Sequence, residues 1–130
     1  INMGTRFCAS VEAPIHDAFK QAMVANDERA TDIIFRTYRN SARVARNAVS
    51  QEVLRLESEG RPFEDVAHLV KGARGREGLA TGDLDHGVWT AGTVQGLIHD
   101  VPTVRELVER IVSDAEAVIR QRLWGMSVAA

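Results

Sequence analysis

Apolar residues recur at helical spacing over most of the chain, and the breaks in that spacing divide it into segments. After Ser10 to Ala13, Pro14 takes a first-turn position, and Ile15, Ala18, Phe19, Ala22 and Met23 give an apolar face to a helix that ends near Asn26. The run 31–37 is rich in β-branched and aromatic side chains between polar flanks and predicts a short strand, Thr31 to Thr37. From Ser41 to Glu59, Val44, Ala45, Ala48, Val49, Val53, Leu54 and Leu56 fit the inner face of a helix. Arg43, Arg46, Gln51, Arg55 and Glu59 turn outward on it, and Gly60 and Pro62 stop it.

Phe63 to Lys71 predicts a shorter helix. Gly72, Gly75 and Gly78 then recur every third residue, which suits either a loop or a strained helical turn. Gly82 to Gly87 is turn chemistry, and Ala91 to Ile98 predicts a small-residue helix whose Gly92 and Gly96 admit another backbone. The last helix opens with a capping box, Thr103 and Glu106, just after Pro102. Its stripe runs through Val104, Leu107, Val108, Ile111, Val112, Ala115, Val118, Ile119 and Leu123, and Gly125 is expected to close it. The sum is about five helices and at most two short strands, a mostly α-helical chain. Ile1-Asn2-Met3 reads as the end of a buried strand entering a glycine turn, and so apolar a strand expects neighbours on both sides. The chain therefore reads as the C-terminal piece of a longer protein.

Composition narrows the function classes. With 16 Lys plus Arg against 18 Asp plus Glu in 130 residues, a net charge of -2 and a pI near 6.1, there is no basic field to grip phosphate backbones. That argues against nucleic acid as a partner. The apolar runs fall far short of the roughly 20 residues of a bilayer span, so no membrane segment is expected. A single cysteine, Cys8, excludes an intramolecular disulfide and a Cys-rich zinc site, and suits a reducing, cytoplasmic setting.

Candidate chemistry concentrates in two places. At Asn2-Met3-Gly4-Thr5 a strand end meets a Gly-Thr turn, where freed backbone N–H groups beside a small hydroxyl would cradle a phosphate; an ordinary strand exit is the alternative. In the second stretch, His86 lies in a glycine turn between Asp85 and Gly87, and Trp89 is either a core residue or a cover for an aromatic ring. Asp83 and Asp85 read as turn and cap residues before an acid–base pair. His16, His68 and His99 read as packing or helix-end residues, and their scatter carries no metal signature.

Asn2-Met3-Gly4-Thr5-Arg6-Phe7, the stretch Glu12 to His16, and the run Gly82-Asp83-Leu84-Asp85-His86-Gly87-Val88-Trp89-Thr90-Ala91-Gly92 through Ile98 together resemble the C-terminal part of the nitronate monooxygenase family, once called 2-nitropropane dioxygenases. The layout is also similar to that of the FMN-dependent enoyl-acyl carrier protein reductases, which share the fold. The resemblance implies an α/β parent, a (β/α)8 TIM barrel with an added helical domain, using FMN. It implies that residues 1–25 hold the last barrel strand, phosphate loop and following helix, that 26–98 form a helical substrate-covering domain, and that 99–130 return to the barrel. Asn2, Met3, Gly4 and Thr5 would hold the FMN phosphate. His86, Trp89, Ala91, Gly92 and Thr93 would lie near substrate or flavin.

The expected activity is oxidation of an alkyl nitronate, with oxygen completing turnover; enoyl reduction is the alternative. The catalytic base would be a histidine upstream of this chain, so the piece alone, lacking its N-terminal barrel half, would be inactive. The family reads Ala-Gly-Gln where this chain has Ala91-Gly92-Thr93, which puts substrate class in doubt more than fold. A third reading, of another class, is a non-catalytic helical binding module.

Overall fold

A computed structural model describes residues 3–127. In chain order these form α1 (Gly4–Cys8), α2 (Asp17–Ala25), β1 (Thr31–Ile34), β2 (Ala42–Ala45), α3 (Ala48–Ser58), α4 (Phe63–Val66) and α5 (Gly72–Thr81). A 3-10 turn at Thr93–Leu97 precedes α6 (Val104–Val118), which passes through a π-turn at Ile119–Leu123 into α7 (Trp124–Ser127). The result is a mostly helical domain with two short antiparallel strands.

The expected strand at 31–37 forms but stops at Ile34, because Phe35 adopts a φ of 65° that no strand continues. Glu57 of α3 holds this corner, accepting from the Phe35 amide at 2.8 Å and the Thr37 hydroxyl at 2.8 Å. Residues 42–45, expected as the first turn of a helix, instead pair with β1 in the register Thr31↔Ala45 to Ile34↔Ala42. Asn47 decides this: it forms a reciprocal capping box with Ser50, so the helix cannot start before Ala48. Val44 and Ala45 are both buried, since β2 lies between β1 and the segment at Trp89 and Thr90. Adjacent buried residues had matched a helical face only by coincidence of spacing.

Other boundaries shift for local reasons. α2 begins at Asp17, not at Pro14, because His16 is its N-cap and accepts from the Ala18 amide through Nδ1 at 3.1 Å. α4 is a single turn ending at Val66, shorter than the expected helix to Lys71. The 91–98 helix is only a 3-10 turn. Gly125 does not close the last helix, which runs to Ser127. The expected strand end at Ile1 and Asn2 lies outside the described residues.

The glycine series 72–78 resolves as a regular helix, α5. A Cβ on Gly75 would sit 3.0 Å from the Val88 carbonyl oxygen, and one on Gly78 would sit 2.8 Å from that of Asp83. The two glycines thus form the face on which the 83–88 loop lies. Gly82, at φ 88°, ends the helix in the left-handed region beneath the His16 ring. The main core gathers Phe19, Met23, Ala45, Trp89, Ala91 and Ile98, and a second cluster joins Ile34, Val44 and Val53. On α6, Leu107 is buried, while Val108, Val112 and Val118 are exposed.

Candidate functional site

The two sequence stretches that carried candidate chemistry meet in space. The chain passes from Met3 directly into the single short helix α1, so Gly4 and Thr5 occupy a helical first turn rather than a loop. Met3 supplies no side-chain cap, and a Cβ on Gly4 would meet nothing within 4 Å. Thr5 Oγ1 accepts from the Gly92 amide at 2.9 Å, across 87 positions of sequence. Using the hydroxyl oxygen as an acceptor leaves its O–H to donate. Around this bond lies a cavity of about 480 Å³, walled by Met3, Gly4, Thr5, Gly92, Leu107 and Ile111 among others.

Neighbouring contacts fix the position of α1. Arg6 donates to the carbonyls of Ala9 and Asp100, each at 3.0 Å, and its guanidinium lies 3.4 Å from the Asp100 carboxylate. Asp100 is held below the usual carboxylate range by its hydrogen bond with Arg110 at 2.6 Å, with Arg6 adding to the effect. Glu12 accepts from the Val104 amide at 2.9 Å, so the segment after α1 caps the start of α6. Sequence reasoning missed both links, since neither Arg6 nor Glu12 sits beside its partner in the chain.

The remaining candidates divide. Trp89 is a core residue: it is buried, packs edge-on against Phe19 with ring centroids 5.1 Å apart, and donates from Nε1 to the Leu84 carbonyl at 3.3 Å. Ala91 is fully buried beside it. His86 Nε2 lies 3.1 Å from a Glu77 oxygen, and Nδ1 lies 3.8 Å from Asp83. Neither His86 nor Trp89 lines the Thr5–Gly92 cavity. Thr93 is exposed next to Gly92, at the start of the 3-10 turn. Asp83 and Asp85 do turn and cap work, with Asp85 accepting from the Ala48 amide at 2.8 Å and Asp83 from the Asp85 amide at 3.0 Å.

Gly96 does admit a backbone, as a Cβ there would fall 2.7 Å from the Glu28 nitrogen. Gly92 meets only ordinary contacts, so its role lies in its amide and not in close approach. Among the described residues no group of His, Cys, Asp or Glu could hold a metal ion, and no helix is long and apolar enough to cross a membrane.

The family model of nitronate monooxygenase matches residues 1–114. FabK from Thermotoga maritima superposes with a TM-score of 0.82 and 29% sequence identity, over 94% of this chain and 39% of FabK. A mutant of that protein from the same organism gives 0.76 and 27%, over 95% of this chain and 36% of its own. The chain therefore spans about two fifths of the solved structures it resembles.

Proposed function

The chain belongs to the nitronate monooxygenase family and uses FMN, and from that premise we propose that it is the C-terminal part of an FMN-dependent oxidoreductase of the enoyl-acyl carrier protein reductase type. The observation that carries the choice is the likeness to FabK over nearly the whole chain, at 29% identity. In the division proposed, residues 1–25 close the barrel, 26–98 cover the substrate and 99–130 return to the barrel. Nitronate oxidation with oxygen is the second reading, favoured by the family model that matches 1–114.

Asn2, Met3, Gly4 and Thr5 are proposed to hold the FMN phosphate. What supports this is the open backbone at Gly4, the donor left on Thr5 and the cavity they wall. When bound, FMN supplies the two-electron exchange with substrate. The Gly92 amide donates to the Thr5 oxygen, so the Thr5 hydroxyl hydrogen would be available to donate to a phosphate held there. Trp89 and Ala91 act at one remove, by anchoring in the core the segment that delivers Gly92. Thr93 faces solvent beside that segment and is the residue proposed to touch substrate, while His86 is held by Glu77 and Asp83 at the edge of the covering domain. The proton-transfer base is assigned to the part of the protein that precedes these residues.

The test uses the longest natural product carrying this chain, loaded with FMN. Consumption of reduced nicotinamide dinucleotide that depends on a crotonyl thioester is the expected result. Oxygen uptake that depends on ethyl nitronate, without nicotinamide consumption, would replace the reductase reading with the nitronate one. A protein that binds no flavin would leave only the non-catalytic module. Replacing Thr93→Gln, to restore the family's amide, is expected to change the ratio of turnover between short and long acyl substrates; an unchanged ratio would remove Thr93 from the substrate site.

A further inference from the structure

Away from the Thr5–Gly92 cavity, α5 and the segment 88–90 enclose a second groove of about 350 Å³. Its floor is apolar, built from Ile15, Leu79, Val88 and Trp89, and two cations, Lys71 and Arg76, stand on its walls. The groove exists because Gly75 lets α5 lie directly on the Val88 carbonyl; any side chain there would lift the helix away.

The two cations have no anionic partner among the described residues. On the same helix, Glu77 is committed to His86 and Arg74 to the His86 carbonyl, so neither competes for this space. Elsewhere Arg46, Arg55 and Arg61 are each paired with a carboxylate. An apolar floor with two unpaired cations on its walls complements a ligand that is aliphatic along its length and carries a multiply charged anion.

We propose that this groove binds an acyl-phosphopantetheine arm, with the aliphatic part on Leu79, Val88 and Trp89 and the phosphate between Lys71 and Arg76. The assignment rests on the reductase reading for the identity of the ligand, because an acyl carrier protein presents its substrate on such an arm. The groove lies wholly within this chain, in the proposed substrate-covering domain.

Calorimetric titration of the FMN-loaded protein with S-octanoyl-phosphopantetheine and with S-octanoyl-pantetheine compares the same body with and without the phosphate. The phosphorylated form is expected to bind about tenfold tighter or better, as charge-assisted hydrogen bonds to two cations would give. Lys71→Ala with Arg76→Ala should bring the two forms to parity, and Lys71→Arg with Arg76→Lys should restore the preference. The preference should also shrink as salt rises. Equal affinity in the unaltered protein, or a preference that survives the double alanine variant, would overturn the proposal. So would a double variant that loses affinity for reduced nicotinamide dinucleotide and not for the acyl arm, which would assign the cations to the other phosphorylated substrate. If the phosphate preference behaves as expected while no crotonyl thioester is reduced, the groove stands and the reductase reading falls.

Discussion

One backbone contact and one side-chain hydrogen bond set the geometry at the level of single residues. Gly87 and Gly75 touch through their main chains: a Cβ on Gly87 would lie 2.8 Å from the Gly75 nitrogen and 3.0 Å from the Arg74 carbonyl carbon. Both of those atoms are backbone, so no side chain can swing aside. Gly87→Ala is therefore expected to destabilise the protein by about 1–3 kcal/mol or more, as overpacking does, and a lowered thermal midpoint would show it. Gly4→Ala, with open space around its Cα, should leave that midpoint nearly unchanged. At Thr5 the issue is the hydrogen bond. Thr5→Val keeps the shape but leaves the half-buried Gly92 amide without its acceptor, at a cost of about 1–3 kcal/mol, whereas Thr5→Ser keeps the bond. Equal stability of the Val and Ser variants would show that the bond does not hold the two segments together.

Among the elements, those announced by a local signal were legible in the sequence. The capping box at Thr103 and Glu106 marks the start of α6, and α2 ends with Asn26 as its C-cap, where its apolar spacing runs out. The β2 strand was not legible, because Val44 and Ala45 fit a helical face as well as a strand buried on both sides, and only Asn47 tells the two apart. Its side chain caps α3 and also donates to the carbonyls of Leu84 and Gly87 at 2.7 and 2.8 Å, partners some forty positions away that no local pattern reveals. Asn47→Ala is expected to raise amide exchange both in the first turn of α3 and in the 82–87 loop; faster exchange in α3 alone would mean the loop is held by other contacts.

The α6 box carries a pH dependence. The Thr103 backbone amide, and next its hydroxyl, hold the Glu106 carboxyl below its usual range. A carboxyl lowered on folding stabilises the folded state fully above its ordinary pKa and loses that contribution as pH falls through the lowered value. Helix content at the start of α6 should thus persist below the ordinary glutamate range, then fray. In Glu106→Gln this acid-dependent step should vanish.

For the whole molecule, the site was half legible. The motif residues Gly4, Thr5 and Gly92 do come together, while His86 and Trp89, singled out from the same run, are engaged elsewhere by Glu77, Phe19 and the Leu84 carbonyl. Sequence proximity placed them near Gly92, but the turn at 82–88 is folded against α5 and carries His86 to another face. The exposed valines at 108 and 112, together with Ile119 at 54% exposure, form an apolar stripe along the last helix. In the proposed whole protein this stripe belongs to the part that returns to the barrel.

The central claim is that Met3 to Thr5, locked by Gly92, receives the phosphate end of FMN. Its most direct test is the affinity of the flavin-free natural product for FMN against riboflavin, in the unaltered protein and in Thr5→Val. The account predicts that FMN binds far more tightly than riboflavin, and that Thr5→Val narrows the gap by about tenfold, the worth of one charge-assisted hydrogen bond, while riboflavin affinity stays the same. A gap that is absent, or one that Thr5→Val leaves untouched, would contradict it.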